Sequence, residues 1–123
     1  MPGLKSENIG SGDYSWLLNT HAANAGGQGV VDISAFTKAT HYPDGYLPSG
    51  LPVNAADRTK LVPWADAAGA VLAFIDGDHA TDGVEDINAA LITHADGIIV
   101  KNVPLSTFAK PSTAAQPQFG QYL

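Results

Sequence analysis

The chain has 123 residues, a length typical of one domain, and only 15% of its residues are charged. The formal net charge of −6 opposes binding to nucleic-acid phosphates, and the absence of cysteine excludes disulfides and thiolate zinc sites. No apolar run approaches the roughly 18 residues of a membrane span, and no signal-peptide pattern is present. We therefore expect a small, soluble, unexported domain that binds neither nucleic acid nor membranes.

The first 29 residues are predicted to form a flexible N-terminal arm. Met1–Asp13 is rich in Gly and Ser and offers little to bury besides Leu4 and Ile9. Four residues then form an aromatic and apolar group: Tyr14, Trp16, Leu17 and Leu18. This group either folds back onto the protein's own core or anchors the chain to a partner, since Trp and Tyr are frequent hot-spot residues.

Residues 30–104 are predicted to form a β-rich body, with little helix. Val30–Phe36 alternates like a half-buried strand, with Val31, Ile33 and Ala35 on one face. Two later segments, Leu47–Val53 and Leu61–Trp64, contain prolines, which lack the N–H that a sheet requires. They are therefore expected to be edge strands, kinked strands or turns rather than central strands.

A run of three short apolar segments dominates the second half of the body. Ala70–Ile75, Ala89–Thr93 and Ile98–Val103 are predicted to be strands of a β-meander. The acidic segment Asp76–Asn88 between the first two is expected to be an exposed loop, and the Asp-Gly ending at Gly97 indicates a hairpin. Residues 105–123 contain prolines and scattered aromatics, and are predicted to be an extended tail over the body or over a neighbour.

The sequence offers little catalytic or metal-binding chemistry. Asp76 and Asp78 fit the calcium-loop pattern, but Ala80, Thr81 and Ile87 occupy three of its required positions. The four histidines have no ligand spacing, and neither a nucleophile motif nor a phosphate-binding glycine loop occurs. We therefore predict that the protein is not an enzyme and has no cofactor and no metal site.

The order of the motifs resembles that of the lambda-type head decoration proteins of tailed bacteriophages. Leu47–Val53 (LPSGLPV) is similar to the family's opening motif. Lys60–Gly69 is similar to its middle motif, with Trp64 in place of the usual tyrosine, and Ile92–Gly97 to its late hairpin with two inserted residues. Two further segments resemble the longer form found among phages of actinobacteria: Asp13–Leu17 and Asp32–Tyr46. The resemblance covers about Asp13–Pro104.

That resemblance implies a small β-barrel or β-sandwich-like body that forms a homotrimer. Such trimers sit on the outer surface of the capsid, at three-fold and quasi-three-fold positions, and stabilise the expanded shell. The partner is then the major capsid protein, to whose sheet the N-terminal arm adds a strand. The protein would be made in the cytoplasm of a host bacterium and become part of the virion.

Two sets of site residues follow from this interpretation. The predicted capsid-binding residues of the arm are Tyr14, Trp16, Leu17 and Leu18. The predicted trimer interface consists of Leu47, Pro48, Leu51, Pro52 and Trp64. Two other functions stay open: a binding module for glycans or host receptors, and a small hydrolase that uses His94. The binding module would stack its ligand on exposed aromatic rings: Trp16, Tyr42, Tyr46 and Trp64.

Overall fold

A curled antiparallel sheet of five strands forms most of the protein. The computed structural model describes residues 14–18, 24–65, 69–94, 97–105, 108 and 122. The strands of the large sheet are β1 (Asn24–Val31), β3 (Pro52–Asn54), β4 (Val62–Pro63), β5 (Leu72–Ile75) and β7 (Ile87–His94), in the order β1-β7-β5-β3-β4. A second sheet pairs β2 (Tyr46–Leu47) with β6 (His79–Ala80). The protein is thus mostly β, as predicted, and the large sheet forms a half-barrel.

In the described residues, helix is confined to short turns. An α-helical turn, α1, covers Lys38–His41, and 3-10 turns cover Ile33–Ala35 and Val100–Asn102. Within the described part of the chain, no helix is long and apolar enough to cross a membrane.

The centre of the large sheet lies where the apolar runs predict it. All four residues of β5 are buried, as expected for a continuous apolar strand covered on both faces. β5 pairs with β7 through Phe74↔Ile92 and Ile75↔Leu91, and β7 pairs with β1 along most of its length. The strands predicted at Ala70–Ile75 and Ala89–Thr93 are therefore confirmed.

The prediction of a third meander strand at Ile98–Val103 is wrong. In Ile98–Val103 only Ile98 makes β-bridges, and Val100–Asn102 is a 3-10 turn. The backbone of Ile98 bridges Leu17, antiparallel, and Tyr122, parallel. Because segments from both ends of the chain occupy this backbone, Ile98 does not form a hairpin ladder with β7.

The edge strand β1 begins earlier and ends earlier than predicted. Its first six residues, 24–29, fall within the predicted flexible arm, yet their segment pairs with β7. Gly29 suits this position because an added Cβ would lie 2.7 Å from Leu61 Cδ1. After Val31 the chain turns, and the backbone N–H of Ile33 donates to Asp86 Oδ1 at 3.1 Å. Val31 and Ile33 are buried as expected, but Ala35 is exposed.

The proline-containing segments behave differently from one another. β4, which contains Pro63, is an edge strand as expected, whereas β3 lies between β5 and β4. Pro52 is tolerated inside the sheet because it begins β3 and contributes its carbonyl, which accepts from Trp64 N at 3.3 Å. Just before β4, Leu61 bridges Val31 of β1 and its N–H donates to Val30 O at 2.8 Å, which brings the two edges of the curled sheet together.

The core packs against this sheet and includes residues from both predicted interfaces. Leu47 and Leu51 are fully buried, Pro52 is buried, and Trp64 is only 8% exposed. The side chains of these four residues pack inside their own chain and leave little surface for the trimer interface, which stays a prediction. Pro48, the fifth member, is partly exposed.

The described part of the predicted tail lies on the protein's own body. Leu105 is buried, and the Phe108 ring lies 5.8 Å from that of Phe74. Tyr122 packs against the core and bridges Ile98. Phe119 and most other tail residues lie outside the described part of the chain, as do Met1–Asp13.

Candidate functional site

The side chain of Trp16 fills an enclosed site between the turn at Ser49–Gly50 and strand β5. We call this site the seat of Trp16. The indole is 1% exposed and stacks on Phe74, with ring centroids 4.9 Å apart. Its Nε1 donates to Ser49 Oγ at 3.3 Å. Gly50 has φ +89, and a Cβ there would lie 2.5 Å from Trp16 Cδ1, so only glycine fits both the backbone and the space. The LPSGLPV motif therefore supplies one wall of the indole site.

Backbone hydrogen bonds hold the segment around Trp16 in register. Leu18 N donates to Gly97 O at 3.0 Å, and Ile99 N donates to Trp16 O at 2.7 Å. These bonds flank the bridge between Leu17 and Ile98. The N-terminal segment is thus paired like a short strand.

Two carboxylates at the start of the acidic segment complete the seat. The Tyr14 hydroxyl donates to Asp76 Oδ1, and Ser49 N donates to Asp78 Oδ1 at 2.8 Å. Burial, followed by the hydrogen bond to Asp76, raises the pKa of Tyr14 to about 12. The start of Asp76–Asn88 is therefore not merely a solvated loop, since it fastens both the N-terminal segment and the Ser49 turn.

Asp82 stabilises the acidic loop, and Asp86 links that loop to the turn after β1. Asp82 Oδ1 accepts from Glu85 N at 3.0 Å and from Val84 N at 2.8 Å, and these bonds lower the pKa of Asp82. Asp86 is the residue that accepts from Ile33 N. Across the described ranges, no group of three or more His, Asp or Glu side chains is placed to hold a metal ion.

The predicted capsid-binding group divides into buried and accessible residues. Trp16 and Leu17 are 1% and 5% exposed, so both side chains pack in the core of their own chain, and their contact with a capsid stays a prediction. Tyr14 is half-buried, and Leu18 is 37% exposed. The physical reason is that the indole finds both a ring and a hydrogen-bond acceptor within its own chain.

The aromatic platforms of the binding-module hypothesis are mostly inaccessible. Trp16, Tyr42 and Trp64 are all buried, whereas Tyr46 is 36% exposed. The side chain of His94, proposed for a hydrolase, lies outside the described residues.

A cleft adjoins the seat, and the sequence did not point to it. It has a volume of about 310 Å³ and lies between α1, the turn before β2, the Ser49 turn and the 3-10 turn at Val100–Asn102. Its lining residues are Thr40, Pro43, Asp44, Tyr46, Pro48, Ser49, Asp78, Asn102 and Pro104. Asn102 Nδ2 also donates to Ser15 O at 3.0 Å, so cleft and seat share a wall. We call this feature the Tyr46 cleft.

Sequence reasoning missed Ser49, Gly50, Asp76 and Asp78 as partners of the N-terminal segment. One signal in the sequence was the turn Ser49-Gly50, whose small residues leave room for a large side chain such as that of Trp16. Comparison with known proteins adds nothing to these contacts, since no protein-family model, curated protein or solved structure matches the chain.

Proposed function

We propose that the protein is a structural capsid decoration protein of a tailed bacteriophage. In this proposal it forms a homotrimer, binds the outer surface of the expanded head at three-fold and quasi-three-fold positions, and stabilises the shell. The resemblance of its successive motifs to the lambda-type decoration proteins motivates the assignment.

The observation that best supports the proposal is the joint use of those motifs in one packed unit. The LPSGLPV motif contributes Ser49 and Gly50 to the seat of Trp16, and Gly97, which ends the late hairpin motif, accepts from Leu18 N at 3.0 Å. Two stretches that are far apart in sequence, and that both resemble motifs of the family, thus meet at the base of the N-terminal segment. This is the place from which an arm would leave the body.

The burial of Trp16 moves the proposed capsid contact toward the N-terminus. We assign it to Met1–Asp13, where Leu4 and Ile9 are the apolar residues, together with the exposed Leu18. The mode is the addition of a strand to a sheet of the major capsid protein, in which backbone hydrogen bonds supply affinity. Tyr14–Leu18 then acts as the fixed root of the arm rather than as its tip.

Trimerisation makes such an arm effective. Ordering a flexible segment costs about 1–2 kcal/mol per residue, so that a single arm binds weakly. When one arm of a trimer has docked, the other two act at an effective concentration in the millimolar range, and avidity rises by about 10²- to 10⁴-fold. The trimer thereby links several capsid subunits and favours the expanded lattice that presents its sites.

The direct test combines sedimentation of the free protein with co-sedimentation on heads. The expected result is a species of three 12.7-kDa chains that pellets with expanded, DNA-filled heads and not with unexpanded ones. A monomer that binds neither form of head would overturn the proposal. Equal binding to both forms would instead remove the selectivity for the expanded lattice.

A surface module for glycans or host receptors is the alternative. Of its four proposed stacking rings, Tyr46 is the one exposed at 36%, and it lies in the Tyr46 cleft. A glycan array probed with the full chain distinguishes the two functions, because a decoration protein gives no specific hits there.

A further inference from the structure

The walls of the Tyr46 cleft are fixed by contacts inside the protein. Tyr46 is paired with Ala80 in the small sheet, and the turn before it is closed by Gly45 N donating to Tyr42 O at 3.1 Å. Asp78 Oδ1 accepts from Ser49 N, and Asn102 Nδ2 donates to Ser15 O. A ligand would therefore find a preformed cleft, which lowers the entropic cost of binding.

The chemistry of the lining is acidic and partly apolar. Carboxylates come from Asp44 and Asp78, an exposed aromatic ring comes from Tyr46, and three prolines add apolar surface. The other lining residues are polar and uncharged: Thr40, Ser49 and Asn102. Among the described residues that line the cleft, none is a lysine or an arginine. The two negative charges are thus not balanced by a basic side chain in the wall, so the cleft favours a cation.

The shape restricts what kind of cation fits. A volume of about 310 Å³ is at the small end of ligand sites and suits one side chain better than a large molecule. Lysine and arginine combine an apolar stem, which can lie on proline and tyrosine rings, with a charged head that can reach the carboxylates. Arginine fits better, because its planar guanidinium stacks on tyrosine and pairs with two carboxylate oxygens at once.

We propose that the Tyr46 cleft binds an arginine side chain presented by an extended segment of a partner protein. Asp44 and Asp78 receive the guanidinium, and Tyr46 stacks on it. A sugar would use the same ring, but it would bury both carboxylates without a counter-charge. The inference rests on the cleft alone and stands whether or not the protein decorates capsids.

The test is an NMR titration of the full-length, isotope-labelled chain with a blocked Gly-Arg-Gly peptide. The matched control ligand is the same peptide with citrulline, which keeps the shape of arginine but removes its charge. Methyl glucoside and calcium chloride serve as the sugar and the metal probes. We expect amide shifts at Asp44, Tyr46 and Asn102 with the arginine peptide, and at least threefold weaker binding of the citrulline peptide.

Two variants locate the site. Asp44→Asn is expected to weaken binding of the arginine peptide about two- to fivefold, the range of an exposed charge pair. Glu85→Gln removes the same charge from an exposed position on the acidic segment and should leave binding unchanged. Tyr46→Leu, which keeps an apolar side chain but removes the ring, should weaken binding as well.

Four results would overturn the proposal. They are equal binding of the arginine and citrulline peptides, equal loss in Asp44→Asn and Glu85→Gln, stronger cleft shifts with the sugar or calcium, or no cleft shifts with any probe. Amide spectra of the variants that match the wild type outside the cleft show that a loss of binding is not a loss of fold.

Discussion

The indole of Trp16 stacks on Phe74 with an interplanar angle of 28°, and this contact joins the N-terminal segment to the central strand β5. Fifty-odd residues of chain separate the two rings in sequence, so the contact closes a long loop. It places the root of the N-terminal segment at the middle of the sheet. The stability of the body therefore depends on residues that precede its first strand.

Replacing Trp16 by Ala should destabilise the fold by about 3–5 kcal/mol, because a fully buried aromatic side chain leaves a cavity and Ser49 loses a partner. Urea denaturation followed by circular dichroism measures the loss. Leu18→Ala is the control, since a side chain that is 37% exposed should cost well under half as much. Similar losses of stability in Trp16→Ala and Leu18→Ala would contradict the burial of Trp16 in its seat.

Gly50→Ala tests the close approach of the turn to the indole. The new methyl group would both occupy a left-handed backbone position and overlap the ring of Trp16, and we expect a cost of about 2–5 kcal/mol. Gly45→Ala is a matched control: its φ is +85, but no atom lies within 4 Å of the added Cβ. Its cost should be limited to backbone strain, about 1–2 kcal/mol. Equal urea midpoints for Gly50→Ala and Gly45→Ala would show that the indole of Trp16 does not pack against Gly50.

The hydrogen bond from Tyr14 to Asp76 predicts a dependence of stability on alkaline pH. Because the pKa of Tyr14 is raised from 10.0 to about 12, the folded state favours the neutral phenol. The contribution of this pKa shift to the free energy of unfolding is complete below pH 10 and is lost as the pH rises through about 12. The free energy of unfolding of the wild type should therefore fall toward that of Tyr14→Phe over this window.

Tyrosinate absorbance of the two proteins measures the same quantity directly. The difference titration should show one tyrosine with a pKa near 12 that is missing from Tyr14→Phe. Tyr122, whose pKa burial also raises to about 12, is separated by the variant Tyr122→Phe. If Tyr14 titrates near 10, the contact with Asp76 does not hold its proton.

The apolar runs of the sequence predict the centre of the sheet but not its edges. Ala70–Ile75 and Ala89–Thr93 identify β5 and β7 because fully buried strands are continuous in hydrophobicity. The early part of β1 is rich in glycine and has little intrinsic strand preference, so its pairing comes from β7. Tertiary pairing therefore overrides local composition at this edge.

The candidate site depends on contacts that local patterns cannot supply. The aromatic group at Tyr14–Leu18 is compatible with either an anchor or a core segment, and the choice depends on Ser49, Phe74 and Asp76, which are more than thirty residues away. In the same way, Ile98 reads as a strand residue, but its bridging partners come from the two ends of the described chain.

Deletion of Met1–Asp13 gives the most direct test of the proposed capsid contact. The variant keeps Tyr14, Trp16 and Leu17, so the body should fold, whereas a longer deletion through Leu18 would also remove core residues. A full-length Leu4→Ser/Ile9→Ser variant tests the apolar residues of the arm, with Ser6→Ala as its control. The measurement is co-sedimentation with expanded heads after sedimentation has established the oligomeric state. We predict that the shortened chain remains a trimer and no longer pellets with the heads; undiminished binding of that trimer would contradict the account.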